Sequence, residues 1–256
     1  MHLADTHCHL TSYKYDEVAH VIQRAAQQGV TKLLCIGAGM GDDPPAQALA
    51  IAERFDSVWC SVGVHPQQAA KWPDISALEK IAKHEKVVAI GEVGLDFFKD
   101  WGSPPDVQRR VFRDSIRLAR LVGKPLIIHC RDAHEEILQI IEDCGASEVG
   151  GVFHCYSQSA DFAKKLHELN FLVSFTGIVT FKNTSAVREE LKQIPLSQIM
   201  LETDCPYMAP EPHRGQSSEP WHVRLIAEKI ADIKGVSLEE VANVTSENAR
   251  KLFRWA

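Results

Sequence analysis

Eight short apolar runs, rich in β-branched residues, recur from one end of this 256-residue chain to the other, with helix-patterned segments between them. The runs centre on residues 3–5, 32–36, 58–62, 87–91, 126–128, 151–153, 171–175 and 199–201. Residues 106–122 place Val111, Ser115, Leu118 and Val122 at i, i+4, i+7 and i+11, the rhythm of a single buried helical stripe. Residues 222–233 repeat the pattern with Val223, Ile226, Ala227 and Ile230, and Ser237 with Glu240 has the spacing of a capping box that opens a further helix. Eight strands, each followed by a helix, in about 250 residues predict an α/β protein of the (β/α)8 TIM-barrel type. An open doubly wound sheet alternates in the same way, but more often with about five to seven strands.

The residues that end these runs favour the closed ring. His7 and His9 flank Cys8 at the end of the first run, and side chains at i and i+2 of a strand share a face. Glu92, His129, His154 and Asp204 stand at the ends of runs four, five, six and eight. Only a closed barrel brings five such strand ends to one centre, at the C-terminal mouth where barrel active sites sit. Imidazoles and carboxylates are ligands for divalent metals, and this inventory exceeds what one tetrahedral ion needs. It suits a pair of ions about 3.5–4 Å apart, with Glu92 as the candidate bridge. Asp204 would bind a metal and also accept a proton from the attacking water, so Glu92 and Asp204 are the candidate catalytic residues.

Other residues near the expected mouth are candidates for substrate contact or support. His65 follows the third run, and Arg131 lies two residues beyond His129, where its planar guanidinium suits an anionic oxygen. Lys99 and Arg214 fall in loops on the same side, and Glu202, two before Asp204, is placed to orient a ligand. His20, His84 and His167 fall in helical patterns and read as solvated. Cys8, Cys130, Cys155 and Cys205 each follow a proposed ligand, so alternation aims them toward the helical ring as small buried hydrophobes. Gly37-Ala38-Gly39-Met40-Gly41 lacks the G-x-G-x-x-G spacing of a dinucleotide loop and reads as a flexible barrel loop.

Composition bounds the partners. The net charge of −6 and the lack of any Lys/Arg run argue against coating long duplex DNA, and favour gripping an end or a short strand if the substrate is a nucleic acid. Seven cysteines without framework spacing point to reduced thiols and a cytoplasmic setting. No apolar run reaches the roughly 20 residues of a membrane span, and no signal-peptide pattern is visible. No linker, repeat or coiled-coil pattern appears, so one domain over residues 1–256 and a monomer are expected.

Taken together, the motifs resemble the TatD-type metal-dependent hydrolases of the amidohydrolase-like barrel superfamily. The likeness spans essentially the whole chain. It rests on Asp5-Thr6-His7-Cys8-His9-Leu10, Gly63-Val64-His65-Pro66, Ile90-Gly91-Glu92-Val93-Gly94-Leu95-Asp96 and His129-Cys130-Arg131-Asp132-Ala133. It continues through His154-Cys155-Tyr156-Ser157, Leu201-Glu202-Thr203-Asp204-Cys205-Pro206-Tyr207, Arg214-Gly215 and Glu247-Asn248-Ala249-Arg250. The resemblance implies that His7, His9 and Asp204 hold one metal and that His129 and His154 hold the other. Glu92 would bridge them, where many relatives have a carboxylated lysine. It implies two divalent ions (Mg, Mn or Zn) and a deoxyribonuclease that trims single-stranded DNA from the 3′ end. Two departures stand out: Phe97-Phe98 replaces a common Tyr pair, and Ser217-Ser218-Glu219-Pro220 replaces Arg-Asn-Glu-Pro. The rival readings are an ester or amide hydrolase, such as a D-aminoacyl-tRNA deacylase, and a metal-binding interaction module without catalysis.

Overall fold

The computed structural model describes residues 2–13, 17–39, 42–72, 74–99 and 102–255; Met40 and Gly41 of the glycine-rich loop lie outside them. Strands β1 (Leu3–Cys8), β2 (Val30–Gly37), β3 (Val58–Val62), β4 (Val87–Asp96), β5 (Leu126–Arg131), β6 (Gly151–Phe153), β7 (Phe171–Phe175) and β8 (Ile199–Leu201) pair in parallel, in chain order. Helices α1 (Val18–Gln27), α2 (Pro44–Arg54), α3 (Leu78–Ala82), α4 (Pro105–Val122), α5 (His134–Asp143), α6 (Ala160–Glu168), α7 (Ser185–Gln193) and α8 (Val223–Lys234) follow the strands one for one. The last helix, α9 (Leu238–Phe253), starts where Ser237 Oγ accepts the Glu240 N–H at 3.1 Å. Among the described residues no helix is long and apolar enough to cross a membrane.

The ring closes at its functional end. Cys8 and Cys205 form a parallel bridge between the edges of β1 and β8. The His9 N–H donates to the Cys205 carbonyl at 2.8 Å, and the Asp204 N–H donates to the His7 carbonyl at 2.9 Å. Inside the barrel, Leu34, Ile36, Ile127, Val152 and Met200 form one apolar cluster, and Ala249, Phe253 and Trp255 plug it from below. Alternate residues of the same strands, including Leu33, Cys35, Ile128, Phe153 and Leu201, pack outward against the helices. Cys8 and Cys205 are buried in that outer layer as expected, and Cys130 packs against it half-buried. Cys155 differs: β6 stops at Phe153 and Cys155 takes a positive φ of 50°, so alternation ends before it and its Sγ sits 3.7 Å from Thr176 Oγ1. His20 and His167 are exposed, and His84 lies in the turn after α3, 3.3 Å from Glu53.

β3, β6, β7 and β8 have the expected bounds, whereas β1, β4 and β5 run on through residues 6–8, 92–96 and 129–131. Apolar patterning ends at polar side chains, but these polar side chains are buried against one another and the backbone ladder continues. Registers slip where the ligand-type residues stand. Gly91 and Val93 of β4 oppose Ile127 and Ile128 of β5, leaving Glu92 as a bulge, a device that re-aims a side chain. A second irregularity, between Asp5 and Cys8, brackets His7.

Gly94 opposes His129 at φ +140°, and a Cβ there would run into the His129 carbonyl oxygen. The connection 202–222 is pinned to the barrel: Tyr13 Oη donates to the Ser218 carbonyl at 2.6 Å, and Arg24 forks onto Glu219 at 2.8 and 2.9 Å. His222 Nδ1 accepts the Glu219 N–H at 3.2 Å, and burial pushes the imidazole pKa down to about 4.

Two stability predictions follow from these contacts. Gly94→Ala should cost about 3 kcal/mol or more through backbone strain and steric conflict. Gly123→Ala, at an open helix end with φ +67°, should cost only about 1 kcal/mol. Urea denaturation that returns equal losses for the two would overturn this account of the β4–β5 approach. Because the folded pKa of His222 lies below its unfolded value, its neutral form carries no penalty above pH 6.5. Stability should then fall as pH drops from 6.5 toward 4, as the unfolded chain takes up a proton that the buried imidazole resists. His222→Asn, which retains an acceptor but does not titrate, should flatten that part of the pH–stability profile.

Candidate metal centre

The fold gathers all six proposed ligands at the mouth. His7 and His129 sit on β1 and β5, Glu92 in the β4 bulge, and His9, His154 and Asp204 just beyond the ends of β1, β6 and β8. Glu92 divides its carboxylate between two sets of imidazoles. Its Oε2 lies 3.5 Å from His7 Nε2, while its Oε1 lies 2.7 Å from His129 Nδ1 and 2.8 Å from His154 Nε2. Asp204 Oδ1 lies 3.3 Å from His9 Nε2 and 3.7 Å from His7 Nε2. Donor atoms sharing one tetrahedral ion at about 2.0–2.1 Å would stand about 3.3 Å apart. The spacings around His7 suit that, whereas the 2.7 and 2.8 Å contacts at Glu92 Oε1 are hydrogen-bond distances that an ion would open. Three compact donor groups occur among the described residues: His7 with His9 and Asp204, His7 with His154 and Glu202, and His65 with Glu92 and His129. His154 thus groups with His7 and Glu202. Both ring nitrogens of His7 are buried without a hydrogen-bond partner, although an unmet polar atom costs about 1–3 kcal/mol. A cation at Nε2 would resolve half of that deficit.

Charged carboxylates and imidazoles neutralise one another here. Against burial, Asp204 raises the His9 pKa, Asp96 and Glu92 raise that of His129, and Glu92 and Glu202 raise that of His154 well above its usual value. A cation would therefore displace protons from these rings. Burial opposes the Glu92 charge, yet His154, His65 and hydrogen bonds from the His129 and His154 rings hold its carboxyl well below the usual carboxylate range. Burial likewise opposes ionised Asp204, but the His9 hydrogen bond and nearby His7 keep its pKa low. His7 is driven toward the neutral form by burial and by repulsion from His154, leaving a lone pair available. Both carboxylates are therefore charged before any ion arrives.

A second set of carboxylates holds the imidazoles in place. His129 Nε2 lies 3.2 Å from Asp96 Oδ2, so a proton donated there leaves Nδ1 facing Glu92. Asp96 is itself held by the Gln67 side-chain amide at 2.8 Å and the Phe98 N–H at 3.1 Å. Glu202, expected to orient a ligand, lies 3.4 Å from His154 Nδ1 in a charge contact that is not a hydrogen bond, and accepts the Cys155 N–H at 2.6 Å and the Ser174 hydroxyl at 2.5 Å. Asp5 ties β1 to β8, accepting the Thr203 N–H at 2.9 Å, the Thr203 hydroxyl at 2.6 Å and the His7 N–H at 3.3 Å. Burial pushes the Asp5 carboxyl up to about 8 despite those bonds. Neither Asp96 nor Asp5 was among the expected site residues. The available signal was residue type, an Asp close in sequence to a proposed ligand in each case, because the bulges beside Glu92 and His7 interrupt the period-2 pattern there.

The expected substrate contacts separate into two groups. His65 joins the cluster, with Nε2 3.5 Å from Glu92 Oε1, and Arg131 lines the mouth cavity of about 420 Å³ with its guanidinium 3.6 Å over the Phe98 ring. Phe98 is thus a perch for a cation (Lys99 Nζ also lies 5.0 Å from its centroid) where the common pattern has a hydroxyl. Lys99 lines a neighbouring cleft, and Arg214 stacks 3.7 Å over Phe181; neither lines the mouth cavity. In the second departure, the altered Ser218 is buried with its Oγ 3.1 Å from His222 Nδ1, while the retained Glu219 pairs with Arg24 of α1.

An eight-stranded parallel barrel with imidazoles and carboxylates converging at its C-terminal mouth defines a class, the metal-dependent hydrolase barrels. Within that class the chain belongs to the TatD-related DNase family, which matches residues 4–254. It is 42% identical over 256 residues to the uncharacterized metal-dependent hydrolase YabD of Bacillus subtilis, covering 98% of this chain and 99% of that protein. It is 32% identical over 263 residues to the 3′-5′ ssDNA/RNA exonuclease TatD of Edwardsiella piscicida, covering 99% and 100% of the two chains. The crystal structure of YJJV, a TatD homolog from Escherichia coli K12, superposes with a TM-score of 0.89 at 28% identity, covering 98% of each chain.

The carboxylate–imidazole pairs generate a prediction. Asp96→Asn and Glu202→Gln should each weaken Mn or Zn binding about 10- to 100-fold while leaving the circular dichroism spectrum unchanged. Chelator-competition titrations with wild-type affinity in both variants would remove these carboxylates from the metal centre.

Proposed function

We propose that this protein is a two-metal phosphodiesterase that trims single-stranded DNA from its 3′ end. The observation that carries the reading is the division of the Glu92 carboxylate, with Oε2 toward His7 and Oε1 toward His129 and His154. One ion would be held by His7, His9, Asp204 and Glu92 Oε2, the other by Glu92 Oε1, His129 and His154. Bound there, Mg, Mn or Zn would supply phosphate neutralisation, activation of water and stabilisation of the departing sugar oxygen.

The chain's own side chains do the remaining work. Asp204, kept ionised by the His9 hydrogen bond, accepts the proton of the attacking water. Arg131, propped on Phe98, offers paired N–H donors to a phosphate oxygen. His65 closes the mouth beside Glu92 and is placed to hydrogen-bond the same phosphate. A mouth of about 420 Å³ suits one terminal nucleotide better than a base pair, in keeping with a net charge of −6 that disfavours wrapping duplex DNA. The DNase family and the relative named as an ssDNA/RNA exonuclease support a nucleic-acid substrate. Seven free thiols support a reducing, cytoplasmic setting.

The test uses a 5′-labelled single-stranded DNA oligomer and protein stripped of metal, then reloaded separately with Mg, Mn or Zn. The expected result is a metal-dependent ladder that shortens from the 3′ end. Asp204→Asn and Glu92→Gln should lower the rate by about 10²–10⁴-fold. No cleavage with any of the three metals, at verified occupancy, rejects the nuclease reading in favour of ester or amide substrates. Wild-type rates in both variants would reject the site assignment.

A further inference from the structure

Two large hydrophobic side chains stand out as exposed among the described residues: Leu121 at 66%, on the outer helix α4, and Tyr207 at 55%, at the mouth. Tyr207 is the one Phe, Tyr or Trp ring among the described residues lining the mouth cavity. Its ring centroid lies 6.0 Å from that of His9, with the planes inclined at 76°. The backbone fixes its place: the Tyr207 N–H donates to the Asp204 carbonyl at 2.9 Å, and the Pro206 carbonyl accepts the Ser218 N–H at 2.9 Å. A turn that begins at a proposed ligand therefore ends by presenting an aromatic face to solvent. Burial gives this ring little stabilising role, since over half of it remains wet.

Arg131 lines the same cavity from β5, three strands away from β8 around the ring. One wall of the mouth is cationic and propped on Phe98, and the other is aromatic, with the carboxylates and imidazoles between them. That is the layout of a single-nucleotide subsite, because base faces stack on aromatic rings while backbone phosphates take guanidinium donors.

We propose that Tyr207 is the stacking platform for the base of the strand-terminal nucleotide, and so a specificity-determining residue for single-stranded ends. The proposal rests on the nuclease reading above and adds a base-recognition element to it. Stacking accepts any base, so the site discriminates by whether a terminal base is unpaired and free to swing onto the ring, and not by its hydrogen-bonding edge.

The test has two readouts. In the first, an oligomer with 2-aminopurine at its 3′ terminus is mixed with metal-free protein, so that no turnover occurs. Stacking quenches the probe with wild type and Tyr207→Phe, and the quench disappears with Tyr207→Ala. In the second, Tyr207→Ala raises KM for single-stranded DNA by about 5- to 100-fold with kcat changed less. Replacing the terminal nucleotide by an abasic one should impose the same KM penalty on wild type and none on Tyr207→Ala. Equal quenching by wild type and Tyr207→Ala, or an abasic penalty that persists undiminished in Tyr207→Ala, overturns the proposal. A wild-type protein that cleaves no DNA under any metal refutes the underlying nuclease reading instead, and the two failures are distinguishable.

Discussion

Glu92 is a buried carboxylate, 3% exposed, at the centre of a parallel barrel, where an isolated negative charge would be strongly disfavoured. Its charge is sustained by the imidazoles around it, His129 and His154 at one oxygen and His7 at the other. The surrounding architecture serves that arrangement. The bulge in β4 turns the side chain inward, and Gly94 lets β4 come close enough to β5 to bring His129 within 2.7 Å. Metal binding would complete what the imidazoles begin, giving the His7 ring nitrogen a partner that no described hydrogen bond supplies.

The same constraint explains the seam between the first and last strands. Closing a barrel joins residues about 200 positions apart, and here the closing contacts are made by residues adjacent to ligands. Asp5 bonds to Thr203 and to the His7 backbone, Cys8 pairs with Cys205, and the Asp204 amide bonds to the His7 carbonyl. Ring closure and the spacing of His7, His9 and Asp204 are thus one structural event. The pinned connection 202–222 extends it outward, carrying Tyr207 to the mouth and anchoring its far end on Tyr13 and Arg24.

Much of this was legible in the residues. Strand alternation at Ile127 and His129, or at Met200 and Glu202, follows from period-2 patterning, and six candidate ligand residues at five strand ends converge only in a closed ring. The pattern failed where its period is interrupted. The bulges around Glu92 and His7 hid the true ends of β4 and β1, and the positive φ at Cys155 took its thiol out of the outward-facing set. Lys99 and Arg214 were grouped with Arg131 because all three follow strands on one side, but loop geometry sends Lys99 to a neighbouring cleft and Arg214 onto Phe181.

The sequence by itself determined the fold class, the end of the barrel where the candidate donors gather and which residues are those candidates, because these depend on local period and on residue type. The tertiary structure alone decided which oxygen of Glu92 faces which imidazole, that Asp96 and Glu202 back His129 and His154, and that Tyr207 stands exposed beside His9. Those facts turn on distances of a few ångströms between residues remote in the chain. They are set by register slips, ring closure and turn geometry, which no local pattern encodes.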